Sequence, residues 1–163
     1  MHNRFFFSFL LVESRNAPPS FSALLFYLNF WEDTMEDKIC DFELTHVSST
    51  YNRDGDTLQV HVNWKTEVDA DIETYGAVSG TLIVEHDMNN PNAKSGPCKW
   101  AGEAFLPDGS RAMGWAEGTW EATGDHVWKL NMQGWDSLSG KMRSESEIKL
   151  ETLTWKGTSY KIG

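Results

Sequence analysis

The stretch Leu58-Gln59-Val60-His61-Val62-Asn63-Trp64 decides the fold class, because apolar residues occupy every second position along it. Strict alternation is typical of a β-strand that has one face toward the core and the other toward solvent. Asp54-Gly55-Asp56 precedes it closely, and an Asp-Gly pair favours the positive φ angles of a tight hairpin. The sequence therefore predicts a strand that leaves a hairpin turn.

The same alternation recurs along the rest of the chain in short runs separated by turn residues, and no dozen residues show the apolar period of a helix. The predicted strands cover residues 40–48, 58–64, 78–85, 100–106, 111–122, 126–133, 141–150 and 152–162. We therefore predict a single all-β domain over residues 35–163, folded as an eight-stranded antiparallel barrel, with a sandwich as the alternative. A closed meander hides the strand edges that a sandwich leaves exposed.

The predicted strand over residues 141–150 has the clearest inside and outside, since charged residues occupy one parity of it. The side chains predicted to face inward are Met142, Ser144, Ser146, Ile148 and Leu150, and those predicted to face outward are Arg143, Glu145, Glu147 and Lys149.

Residues 1–34 differ in kind from the rest, with two apolar runs separated by Pro18-Pro19. Neither run reaches the roughly 18 residues of a membrane span, and no small-residue cleavage site of a secretory signal follows the first run. Two interpretations stay open, a leader segment or an over-extended start with translation beginning at Met35. In both, we predict that the segment is not part of the fold.

The formal net charge of −10 disfavours nucleic acid and anionic membrane surfaces as partners, because both are bound through clustered Lys and Arg. We predict neither partner, and we expect a soluble cytoplasmic protein. Whether it forms a homodimer stays open.

The sequence offers no metal motif. Cys40 and Cys98 are far apart and form no CxxC pair, so we favour two buried free thiols, and a single disulfide between them stays open. Acidic residues alternate at positions 67, 69, 71 and 73, but they lack the glycine and closing glutamate of a calcium loop. We interpret them as a solvated edge, and we predict no metal and no cofactor.

The order of several motifs resembles small bacterial barrels of the calycin or allene-oxide-cyclase type over about residues 98–163. The motifs are Gly118-Thr119-Trp120-x-x-x-Gly124, the strand of Trp128, Ser144-Glu145-x-Glu147-Ile148 and Leu150-x-x-Leu153-Thr154-Trp155-x-Gly157-Thr158. The resemblance implies a lipocalin- or calycin-like barrel with a ligand-accepting cavity, as in binding proteins, cyclases and isomerases. It carries no catalytic residue over to this chain.

Aromatic and methionine residues on one strand parity predict the lining of that cavity. The predicted ligand-binding residues are Trp100, Trp120, Trp128, Leu130, Met132 and Met142. We therefore expect a barrel that binds a small apolar or aromatic molecule; a cyclase or isomerase using the same cavity is the alternative. A third interpretation is an interaction module that uses exposed Trp115 and Trp135 for sugar or protein contacts.

An enzyme of this kind needs a proton carrier, and two residues are candidates. His126 is in phase with Trp128, which predicts an inward ring. Glu103 lies beside Trp100 but out of phase with it, so a surface glutamate is the favoured interpretation, and the same holds for Glu117. The remaining strand histidines, His46, His61 and His86, form no metal-binding pair, and we interpret each as a hydrogen-bonded or rim residue. By strand parity, His61 is predicted to face outward, and His86 is in phase with Leu82 and Val84.

Overall fold

The computed structural model describes residues 37–67 and 72–163, and β-strands make up most of them. The strands are β1 (Asp37–Asp54), β2 (Thr57–Lys65), β3 (Ala77–Asp87), β4 (Ser95–Phe105), β5 (Arg111–Gly124), β6 (Val127–Asp136), β7 (Gly140–Lys149) and β8 (Thr154–Lys161). No helix occurs within these described residues. The all-β prediction is confirmed, whereas the expectations for residues 1–34 and for positions 69 and 71 lie outside the described part of the chain.

The strands form a closed ring, in which each pairs antiparallel with the next and β1 pairs with β8. One long strand serves both neighbours: the part of β1 from Asp37 to Thr45 pairs with β8, and the part from Thr45 to Asp54 pairs with β2. A register shift between His46 and Ser48 marks a bulge at the changeover, and bulges bend a strand. The predicted strand over residues 40–48 is therefore only the middle of a longer one.

β6 also extends further than the sequence predicts. The strand predicted over residues 126–133 continues in the structure through Trp135 to Asp136. Gly134 lies within the strand, at a position where a Cβ atom would overlap the carbonyl oxygen of Trp115 and the Cα atom of Ala116 on β5. The glycine thus lets two strands approach closely, and the predicted end of the strand at residue 133 is wrong.

The inward and outward faces predicted for residues 141–150 agree with the structure. Ser144 and Ile148 are buried, whereas the guanidinium of Arg143 lies 4.3 Å from the ring centroid of Tyr160 on the outer face. The period-two alternation of the strand therefore separates the core from the surface here.

Aromatic side chains fill the middle of the barrel. Trp155 packs edge-on against Phe42, Trp64 and Trp100, with centroid distances of 5.7, 5.6 and 5.1 Å respectively. Edge-to-face packing at these distances is favourable for aromatic pairs. The interior is thus a packed core at this level and not an open channel.

A second aromatic cluster lies nearer to one end of the barrel. Trp120 stacks on Trp128 with a centroid distance of 4.7 Å, and the ring of His86 lies 5.1 Å from the first and 5.8 Å from the second. We call this the His86 end; it holds the β1–β2, β3–β4, β5–β6 and β7–β8 turns. The opposite end holds the β2–β3, β4–β5 and β6–β7 connections, and we call it the Tyr75 end after a residue of the first connection.

Candidate ligand-binding site

A cavity with a volume of about 110 Å³ lies within the barrel toward the Tyr75 end. Apolar side chains form most of its wall. The residues of this apolar wall include Cys40, Phe42, Leu44, Ile72, Val78, Trp100, Met132, Met142 and Trp155. Concave, mainly apolar sites with a few polar groups are the usual form of a small-molecule site.

Small residues on β4 and β5 leave this space open. Ala104 pairs with Ala112 across the two strands, and Gly102 pairs with Gly114, so four neighbouring inward positions carry at most a methyl group. Both alanines are buried and line the cavity. The space therefore results from side-chain size at positions that two strands bring together.

The indole of Trp100 forms one wall of the cavity, and two glycines leave the space that it occupies. A Cβ atom at Gly80 would lie 2.5 Å from the ring, and one at Gly102 would lie 2.6 Å from it. Only glycine therefore allows the ring to lie this close to the inner face of β3 and β4.

A buried carboxylate provides the main polar group of the cavity. Asp136, at the end of β6, is 5% exposed. Its Oδ1 accepts hydrogen bonds from the backbone N–H groups of Leu138 at 2.8 Å and Ser139 at 2.7 Å, which closes the β6–β7 turn. Its Oδ2 accepts a hydrogen bond from the hydroxyl of Tyr75 at 2.8 Å. The carboxylate of Asp136 is the acceptor in all three of these hydrogen bonds.

Tyr75 reaches this carboxylate from a tight turn in the β2–β3 connection. The backbone N–H groups of Tyr75 and Gly76 both donate to the carbonyl of Ile72, and Gly76 has a φ of +63°. Burial, above all, raises the pKa of the Tyr75 hydroxyl far above its usual value of 10. The hydroxyl therefore stays protonated and acts as a hydrogen-bond donor to Asp136.

Two serines and a cysteine add weaker polar groups to the wall. Ser144 on β7 and Ser159 on β8 are register partners, both buried and both in the lining. Burial raises the pKa of the Cys40 thiol to about 11, so this thiol is not a thiolate nucleophile at neutral pH. These groups can accept or donate single hydrogen bonds, but they form no nucleophile–base pair.

The structure brings together half of the predicted lining. Trp100, Met132 and Met142 line the cavity. Trp120 and Trp128 pack with His86 at the other end, and Leu130 is completely buried within the core. Their predicted inward orientation agrees with the structure, but these three residues contribute to core packing and not to the wall of this cavity.

Neither predicted proton carrier presents its side chain to the cavity. His126 lies in the β5–β6 turn with a φ of +56°, and its exposed ring contacts Glu151 at 3.1 Å. The predicted inward ring is wrong, because left-handed backbone in the turn breaks the alternation. Glu103 forms part of the wall, but its carboxylate pairs with Arg111 on the outer face.

The other predicted residues occupy mixed positions. Nε2 of His46 lies 2.9 Å from the Ser49 hydroxyl, whereas none of the described residues hydrogen-bonds to Nε2 of His61. Glu117 is exposed, and so are Trp115 and Trp135. The last two are direct cross-strand partners on the outer face.

Within residues 37–67 and 72–163, no group of three or more His, Cys, Asp or Glu is arranged to hold a metal ion. The two thiols, Cys40 and Cys98, are buried and free. Burial raises the pKa of each thiol to about 11.

The sequence analysis misses Asp136 and Tyr75. Asp136 is in phase with Trp128, Leu130 and Met132, so alternation carried beyond residue 133 places it on the inner face. Tyr75 gives no such signal, because it lies in a loop and its orientation depends on the turn formed with Ile72.

A wider hollow of about 530 Å³ lies beside β1 and β8. Its charged side chains already have partners: Glu43 pairs with Lys156 at 2.9 Å, and Asp41 pairs with Lys38 at 2.7 Å. The interior cavity, with its partly used carboxylate, is therefore the better candidate site.

Comparison with known proteins identifies no relative: no family model, no curated protein and no solved structure matches the chain. The described residues contain no helix with the length and apolar character needed to cross a membrane.

Proposed function

We propose that this protein is a calycin-like barrel that binds a small, mainly apolar or aromatic molecule in the cavity at the Tyr75 end. The observation that carries the proposal is the combination of an apolar wall with one buried carboxylate, Asp136, in a space of about 110 Å³. An engineered apolar cavity of about 150 Å³ in another protein binds benzene. The cavity of this protein is smaller than that one, so we expect a ligand of one ring at most.

The order of the strands supports the calycin-like part of the proposal. Each strand pairs with its neighbours in sequence, and the first pairs with the last, which is the order of an up-and-down barrel. We also propose a cytoplasmic location. The free thiols of Cys40 and Cys98 are compatible with it, because a reducing compartment keeps thiols unpaired.

A cyclase or isomerase remains the alternative, and it would need a proton carrier within the cavity. Asp136 is the lining residue with the right chemistry, but its oxygens already accept three hydrogen bonds, two of which hold a turn. The geometry therefore favours binding over catalysis.

Cavity filling tests the binding function. Ala104→Leu adds bulk to the lining, whereas Ala101→Leu adds the same bulk to the exposed face of the same strand. We expect toluene and benzene to raise the melting temperature of the natural protein and of Ala101→Leu, because a ligand that binds only the folded state stabilises it. Ala104→Leu should lose this response. If neither probe shifts the melting temperature of the natural protein, or if Ala104→Leu responds equally, the proposal fails.

A further inference from the structure

We propose that the ligand of this cavity carries a protonated amine, which binds to Asp136 while an apolar or aromatic body contacts the wall of the cavity. The inference rests on the proposed binding function and adds the chemical class of the ligand. Three features of the site lead to it: the sign of its charge, the unused acceptor position on the carboxylate, and the aromatic character of the wall.

The cavity carries the negative charge of Asp136, and no cationic side chain in its described lining balances that charge. Of the described residues that line the cavity, none is Lys, Arg or His. The second acid in the lining, Glu103, directs its carboxylate to Arg111 on the outer surface. An anionic ligand would therefore meet the carboxylate of Asp136 with no cation to balance it, and like charges in a partly buried site repel strongly. A cationic ligand supplies the missing partner.

Asp136 retains capacity to accept a further hydrogen bond. A carboxylate has about four acceptor positions, and the described residues fill three of them, two on Oδ1 and one on Oδ2. The position left over is on Oδ2, the oxygen that also accepts from Tyr75. A hydrogen bond from an ammonium group to a carboxylate is shorter and stronger than a bond between neutral groups.

The wall provides aromatic faces for the rest of such a ligand. Trp155 contacts both Phe42 and Trp100, and all three rings line the same cavity. Aromatic faces attract cations and also pack well against a ring. Asp136 ends its strand near the rim of the barrel, so the amine would lie toward the Tyr75 end and the apolar body deeper.

A panel of one-ring probes tests the inference: toluene, benzyl alcohol, benzylamine and benzoate, titrated at pH 7 by NMR chemical-shift changes of the natural protein. We expect benzylamine to bind at least about tenfold more tightly than toluene, which corresponds to one hydrogen bond to a charged group. Benzyl alcohol should fall between them, and benzoate should bind most weakly. The preference for benzylamine should also decrease in high salt.

Two variants locate the preference. Asp136→Asn keeps the shape of the side chain and should reduce the ratio of benzylamine to toluene affinity to about one. Tyr75→Phe leaves the carboxylate but frees a second position on Oδ2, so the same ratio should rise. If Asp136→Asn does not fold, the ratio in Tyr75→Phe decides alone, and a ratio that stays the same or falls overturns the inference.

The outcomes separate this inference from the proposed function. If toluene binds but benzylamine binds no better, or if benzyl alcohol binds most tightly, the amine class is wrong while the binding function stands. If benzoate binds most tightly, the assigned charge preference is wrong. If no probe binds at all, the proposed function fails and the inference fails with it.

Discussion

The hydroxyl of Tyr75 lies 2.8 Å from Oδ2 of Asp136 and joins two segments that are 61 residues apart in sequence. Through this bond the β2–β3 connection is attached to the β6–β7 turn. The side chain of Asp136 closes that turn by accepting hydrogen bonds from two of its backbone N–H groups. The same hydroxyl lies 3.0 Å from the Ser139 hydroxyl. One tyrosine thus fixes both the rim of the cavity and the carboxylate beside it.

We expect Tyr75→Phe to lower the free energy of unfolding by about 1.5–3 kcal/mol, the usual contribution of a hydrogen bond to a charged group. Urea denaturation measures it. Tyr51→Phe is the matched control, because this tyrosine is 68% exposed. Equal effects at the two positions would show that the hydroxyl of Tyr75 adds nothing to stability.

We expect the stability of the protein to depend on pH through His86. Burial lowers the pKa of His86 below its usual value of 6.5, so the unfolded chain binds the proton more readily than the folded one. Stability therefore falls as the pH is lowered through 6.5 and toward the folded-state pKa. His86→Phe keeps a ring against Trp120 and Trp128 but cannot titrate.

Urea melts between pH 8 and pH 5 measure this effect as a slope. The slope should be smaller in His86→Phe than in the natural protein. His126→Gln is the control, since its ring is exposed in a turn, and it should leave the contribution of His86 in place. A slope that His86→Phe leaves unchanged would contradict the assignment.

Most of the strands are predictable from the sequence, because the alternation of side chains between two faces is a local property. It fails where the backbone departs from extended geometry. The bulge between His46 and Ser48 lies within the long first strand, and the left-handed φ angles of Asp125 and His126 carry the histidine out of the strand.

The cavity is harder to predict, because it depends on which residues lie opposite one another. Ala104 and Ala112 leave space only because the register makes them partners. Likewise, the contact of Tyr75 with Asp136 depends on a loop that alternation does not describe. Parity identifies the inward face, but it cannot say which inward residues pack the core and which surround a space.

Gly80 should be intolerant of a side chain. A Cβ atom there would lie 2.5 Å from the ring of Trp100 and 2.6 Å from the carbonyl oxygen of Ala101. We expect Gly80→Ala to cost about 1–3 kcal/mol, as overpacking usually does, and to change the near-ultraviolet circular dichroism of the indole.

A double-mutant cycle with Trp100→Phe identifies the cause. Phenylalanine lacks the outer ring atoms that Gly80 faces, so the cost of Gly80→Ala should be partly relieved in that background. Part of the cost should remain, because the carbonyl of Ala101 does not move with the ring. Full additivity of the two changes would mean that the indole is not what excludes the methyl group.

The stack of Trp128 on Trp120 gives the most direct test of the inward face of β6. Trp128 is partly buried and packs against the core, with its ring 4.7 Å from that of Trp120. Trp135 lies on the same strand at the opposite parity and is 45% exposed. Trp128→Ala should therefore lower the free energy of unfolding by about 3–5 kcal/mol, as the loss of a packed aromatic ring does.

Trp135→Ala should cost much less, because half of its ring is already in water. Urea melts of the two variants, followed by circular dichroism so that the lost fluorophores do not matter, measure both losses. Toluene binding should survive Trp128→Ala wherever the variant is folded, because this ring belongs to the His86 end and not to the cavity wall. Equal losses at the two positions would overturn the assignment of inside and outside on β6. Loss of toluene binding in folded Trp128→Ala would instead indicate that toluene binds at the His86 end, and not in the cavity at the Tyr75 end.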